Sequence, residues 1–143
     1  MYGGLDVSVS GMVAQRTRIN AIAANVANQR TILDVDGQAV PDKRRMAMVM
    51  PGDPSASTRA GRELGVHVSE IILDDAEPRK VWDPDDPYAQ PEGSPDAGYV
   101  YYPSIDPITE QINALEAQRA YEANVMAAEA TKTMMAQALR LIA

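Results

Sequence analysis

The sequence predicts a mainly α protein: long N- and C-terminal helices packing as a coiled-coil-like pair, with a small loop-rich β insert between them. Three observations predict it. Apolar residues recur at helical steps near both ends of the chain. The stretch from about Gln29 to Pro107 holds all ten prolines and most of the glycines. The same middle stretch holds short apolar runs bounded by turn residues. The boundaries are 1–30 for an N-terminal helix, 31–105 for the insert and 106–143 for a C-terminal helix, the two helices forming one helical domain. A length of 143 residues fits a single domain.

In the first region Leu5, Val9, Met12, Ile19, Ala23 and Val26 recur at three- and four-residue steps, with Arg16 the one break. Ser8, Ser10, Gln15, Arg18, Asn20 and Asn25 fill much of the other face. A helix of roughly 24 residues would be about 36 Å long.

The insert offers three strand candidates: Arg45 to Met50, Gly65 to Ile71, and Tyr99 to Tyr102. Pro51-Gly52-Asp53-Pro54 and Asp83-Pro84-Asp85-Asp86-Pro87 are loops. The run Lys43-Arg44-Arg45 reads as a solvated strand entrance. Leu33-Asp34-Val35-Asp36-Gly37 looks like part of a calcium loop. An EF-hand register, however, puts Ile32 at its first position and Lys43 at its last, and neither is an oxygen donor of the required kind. A turn at Asp36-Gly37 is the ordinary reading.

The third region begins at a marked helix start. Asp106 is a suitable N-cap, Pro107 suits the first helical position, and Glu110 sits near the positive end of the helix dipole. Ile108, Ile112 and Leu115 form one stripe; Tyr121, Val125, Ala128, Met135, Leu139 and Ile142 form another. Gly and Pro are absent after Pro107, so the helix runs for about 36 residues, or about 54 Å. Nine alanines lie between Ala114 and Ala138. Such small residues let helix backbones approach closely. Arg119, Glu122 and Asn124, beside Tyr121, are equally a polar face or an interhelical hydrogen-bond cluster that sets register.

Several chemistries are excluded or disfavoured. There is no Cys, which removes disulfides, thiolate metal sites and cysteine nucleophiles. His67 is the only histidine; with no second His or Cys it makes no zinc set, and a structural role is the preferred reading. P-loop, dinucleotide and nucleophile-elbow motifs are missing. Asp83, Asp85 and Asp86 read as a solvated loop. No catalytic residue, cofactor or metal is expected. The net charge of −7 argues against nucleic acid and anionic membrane surfaces. No apolar stretch reaches about 20 residues, so no membrane insertion is expected. The N-terminus lacks the pattern of a Sec signal peptide.

Gln118-Arg119-Ala120-Tyr121-Glu122-Ala123-Asn124-Val125, followed by Lys132, Met134 and Met135, closely resembles the C-terminal signature of flagellar rod and hook proteins. Ile22-Ala23-Ala24-Asn25-Val26-Ala27-Asn28 resembles their N-terminal signature. The segments Val81 to Ala89 and Gly98 to Asp106 look like the proximal-rod members of that family. Two departures stand out. A longer stretch, without the family's Tyr, separates Asp36-Gly37 from Arg44-Arg45, and Pro103-Ser104-Ile105-Asp106 replaces the more usual Pro-Asn-Val-Asp.

The resemblance implies a structural subunit of the bacterial flagellar basal-body rod that polymerises through its terminal helices and transmits motor torque in the periplasm. The implied partners are copies of itself, other rod subunits, a membrane-ring adaptor and the flagellar type III export apparatus, which would replace Sec export. The expected interface residues are Leu5, Met12, Ile19, Asn25, Val26 and Asn28 of the first helix. From the second they are Ile112, Leu115, Arg119, Tyr121, Glu122, Asn124, Val125, Met135 and Leu139. A non-catalytic coiled-coil adaptor is the alternative.

Overall fold

The computed structural model describes residues 2–33 and 36–142, and side chains up to residue 141. The calcium-loop-like segment thus lies partly outside the described residues, as does the side chain of Ile142. The turn at Asp36-Gly37 is present, with Gly37 at a φ of 73°. The elements are α1 (Tyr2–Asn28), β1 (Arg45–Pro51), α2 (Arg59–Leu64), β2 (Val66–Leu73), β3 (Arg79–Trp82), β4 (Tyr99–Tyr102) and α3 (Pro107–Ile142).

Helices α1 and α3 form an antiparallel hairpin. Gly4 lies against Thr131, Gly11 against Asn124, Arg18 against Glu116 and Asn25 against Glu110. The four contacts keep one register along the whole length of α1. Small residues make the approach close: Ala14, Ala21 and Ala117 are all buried. At Gly11 even a Cβ would come within 2.8 Å of the Asn124 side chain. Ser8 and Ser10, buried on α1, donate back to the carbonyls of Gly4 and Val7, so neither hydroxyl is left unsatisfied.

Each end of α3 follows from local chemistry. The Asp106 carboxylate accepts from the amides of Ile108 and Thr109 and from the Thr109 hydroxyl, the N-cap expected from the sequence. At the other end α3 outruns α1. With Gly4 level with Thr131, the last turns of α3, about nine residues or 14 Å, extend past Tyr2 without a helical partner.

The two sequence stripes of α3 land on different sides. Ile108, Ile112 and Leu115 are exposed, between 58% and 68%. Tyr121, Val125, Ala128 and Met135 are half-buried, on the side that carries Asn124 and Thr131. Leu139 is exposed in the overhang.

The insert contains two separate two-stranded antiparallel sheets. Strands β1 and β2 pair from Arg45 opposite Leu73 to Pro51 opposite Val66, with an irregularity at Met48/Val49. Strand β3 pairs with β4, Trp82 opposite Tyr99. Sequence patterning placed β1, β2 and β4 within two residues but left Arg79–Trp82 in a loop and gave no helix at Arg59–Leu64. The reasons are physical. Arg79 and Lys80 lack the branched-residue signature of a strand, and β3 forms because β4 supplies its partner. Trp82 meets Tyr99 edge-on at 5.0 Å and lies over Gly98, whose φ of 79° and missing Cβ admit the indole. Helix α2 is six residues long, too short to stand alone. It is held from outside: Asp6 of α1 accepts from the Thr58 amide and hydroxyl and from the Ser57 hydroxyl, while Thr58 caps Gly61. The Val66 amide then donates to Ser10 Oγ, joining β2 to α1.

Replacing Gly11 by Leu should drive the hairpin apart at Asn124. We expect a loss of about 1–3 kcal/mol, read as a lowered melting temperature of the purified chain. The hydrogen bonds from Thr58 and Ser57 hold the Asp6 carboxyl below its ordinary pKa. The folded value lies under the unfolded one, so this latch is complete above about pH 4 and is lost as pH falls through the folded value. Asp6→Asn should therefore speed amide exchange at Thr58 and Gly61 at neutral pH, with wild type and variant converging only below about pH 4.

Candidate assembly interface

A buried polar site joins α1, α3 and β1. Glu110 is 1% exposed. Its Oε1 accepts from Arg44 Nε and Nη2, each at 2.8 Å, and its Oε2 accepts from Asn25 Nδ2 at 2.9 Å. Asn25 is fully buried and also pairs with the backbone of Arg45, donating to its carbonyl at 2.8 Å and accepting from its amide at 2.7 Å. Its side-chain amide thus stands where a neighbouring strand would, and begins the β1 ladder from the helix. Arg44 adds Asp74 at 3.9 Å, and its carbonyl accepts from the Asp74 amide. A buried carboxylate is tolerable here because both oxygens have charged or amide donors.

Sequence reasoning picked Asn25 but missed Glu110 and Arg44. It read Glu110 as a first-turn charge and Arg44 as part of a solvated strand entrance; instead Glu110 is buried and Arg44 half-buried against it. One signal for Glu110 was available. Helical spacing aligns it with Ala114, Ala117, Tyr121 and Asn124, so it lies on the small-residue face and not among the exposed charges.

The other expected interface residues divide into three groups. Leu5, Met12, Ile19 and Val26, seven residues apart, form a half-buried ledge along α1. Asn28 is half-buried too and accepts from the Thr31 hydroxyl. On α3, Ile112, Leu115, Arg119, Glu122 and Leu139 are exposed, whereas Tyr121, Asn124, Val125 and Met135 are half-buried against the hairpin side. Asn124 is the member of the Arg119–Glu122–Asn124 cluster that meets α1, at Gly11, while its own Nδ2 donates to the Ala120 carbonyl. Glu122 accepts from Gln118 and not from Arg119.

Charge is segregated. From Glu70 to Asp96 the sequence carries nine carboxylates and two cations, Arg79 and Lys80, a balance of −7 that equals the net charge of the whole chain; Asp74 and Asp75 meet Arg44 and Lys43 from outside that stretch. The helical hairpin is close to neutral. His67 turns its Nδ1 to the Gly52 carbonyl. Among the described residues no group of three or more His, Asp or Glu is arranged to hold a metal, and no helix is long and apolar enough to cross a membrane.

A hairpin of small-residue helices with an exposed apolar outer stripe is suited to packing against further helices. Comparison with known proteins agrees. Residues 5–31 match the family described as flagella basal body rod protein, and residues 96–141 match the C-terminal family of flagellar basal body rod FlgEFG proteins. The chain is 37% identical to the flagellar basal-body rod protein FlgC of Bacillus subtilis, over 98% of its own length and 97% of the relative's. It is 34% identical to FlgC of Yersinia enterocolitica and 33% identical to FlgC of Escherichia coli O6:H1, in each case over 95% of this chain and 93% of the relative. The chain belongs to the flagellar basal-body rod protein family. Within it, the near-full-length similarity marks an FlgC-type rod protein, a structural subunit of the flagellar basal body.

Removing one side of the buried junction leaves the other unpaired. Glu110→Ala should cost about 3 kcal/mol, measured by urea unfolding. The double replacement Glu110→Leu with Arg44→Leu should cost less than the single one, because no charge is then stranded.

Proposed function

We propose that the chain polymerises through its terminal helices into the proximal rod, and that this rod spans the periplasm and carries motor torque to the hook. The hairpin of residues 1–30 and 106–143 is the assembly unit, and residues 31–105 form an insert carried on it. Neighbours are further copies, other rod subunits and the adaptor on the membrane ring. The chain reaches the growing tip through the flagellar type III export apparatus. It acts without catalysis, with no cofactor, no nucleic acid and no direct insertion into membrane.

The observation that carries this reading is the outer stripe of α3. Ile108, Ile112, Leu115 and Met126 are 58–69% exposed along one side of a helix whose opposite side is already packed. Apolar surface removed from water is worth about 25 cal/mol per Å², so covering this stripe with neighbouring subunits drives association. The neutral hairpin supports the reading, because neutral helices crowd into a tube without like-charge repulsion. The single chain has a thin core: Val100 and Ile22 are among its few buried large aliphatics. Assembly then supplies stability that the isolated fold lacks, and folding becomes coupled to polymerisation.

Substituting Ile112 and Leu115 together by Asp changes only exposed positions, so the folded monomer should persist. Cells carrying the pair should be non-motile, with basal bodies that stop before a completed rod. Normal swimming with intact flagella would overturn assembly through α3.

A further inference from the structure

We infer that the overhanging end of α3 docks in a groove between α1 and β2 of a second copy, forming a head-to-tail contact. This rests on the polymerisation reading above and specifies one of its interfaces. The groove has a volume of about 470 Å³ and an aliphatic floor of Val9, Val13, Val66, Val68 and Ile71. Val9, Val13 and Ile71 are 48%, 60% and 51% exposed, so the floor is open to solvent in the monomer. Asp53 and Glu70 supply its charged rim, with His67 the only basic side chain, and its Nδ1 is engaged by the Gly52 carbonyl.

The end of α3 is complementary in both respects. Met134, Leu139 and Leu141 are 58%, 69% and 89% exposed. Lys132 and Arg140 are its charges, and no carboxylate side chain follows Glu129. A cationic helix end with exposed apolar side chains therefore meets an anionic, aliphatic groove. A smaller groove of about 310 Å³, beside Met46 and Met48, is lined by Arg18, Arg44 and Arg45 with Glu110 as its one carboxylate, so it offers no anionic rim to a cationic helix end. The chain's own α3 does not reach the first groove. Its end projects past Tyr2, whereas the groove lies about two to four helical turns away in the other direction along α1, at Val9 to Thr17. The occupant is therefore another subunit. Because the end and the groove are different surfaces, the contact is heterologous, and repetition generates an open helical array instead of a closed dimer.

The absence of cysteine gives a clean test. Val13→Cys and Leu139→Cys are introduced on two differently tagged copies expressed together, and basal bodies are isolated after mild oxidation. A disulfide-linked species carrying both tags is expected, and only when both variants are present. In parallel, Glu70→Lys with Asp53→Lys should reduce swimming by at least about fivefold, since like charges across an interface are strongly disfavoured. Adding Lys132→Glu with Arg140→Glu should restore most of it. Failure of the charge swap to restore swimming would overturn the docking, as would crosslinking of the Val13→Cys copy only to a protein of different size. If the Ile112/Leu115 pair still blocks the rod in that case, polymerisation through α3 stands and only this interface is wrong. If that pair is motile, the broader reading falls as well.

Discussion

The fold depends on one buried carboxylate. Glu110, in the first turns of α3, is reached by Asn25 from the end of α1 and by Arg44 from the entrance to β1. Three elements distant in sequence meet through donors and acceptors with fixed geometry. An alanine-rich hairpin slides easily between registers, because small side chains interlock weakly. A buried carboxylate that must stay hydrogen-bonded to Asn25 favours one register. The same junction sets the direction in which the insert leaves the helices, since the Asn25 amide pairs with both backbone groups of Arg45.

From that point the rest follows along the hairpin. Gly11 accepts Asn124, and Gly4 accepts Thr131. Close approach leaves little apolar surface to bury between the helices, so the large aliphatic residues of α3 lie mostly outside the monomer. A register fixed internally by polar contacts and an exposed apolar stripe on α3 are the two features on which the proposed assembly rests. The net acidic charge is carried by the insert, and the two helices are close to neutral.

Much of the candidate site could be read from the chain. Asn25 and Asn124 stand in the two signature segments, and both prove to sit at the contact between α1 and α3. The helical steps of Ile108, Ile112 and Leu115 marked an apolar stripe, though not that it faces solvent. Arg44 and Glu110 were not recognised together because their partnership spans 66 residues, and local charge patterning treats each as solvated. Asp6 as the cap of α2 was hidden for the same reason: its partners Ser57 and Thr58 lie in a turn with no sequence link to α1.

The sequence by itself determined what local chemistry controls. These are the two terminal helices, the Asp106 cap, the turn-bounded strands β1, β2 and β4, and the family through its two signature segments. Tertiary structure alone decided which stripe of α3 is covered, that β3 and α2 exist, and that a buried carboxylate on α3 is held by Asn25 and Arg44. The physical reason is the range of the interactions. Helical periodicity and capping act within a few residues and leave a local pattern. A short strand, a six-residue helix and a buried carboxylate are each stabilised by partners that only folding brings near.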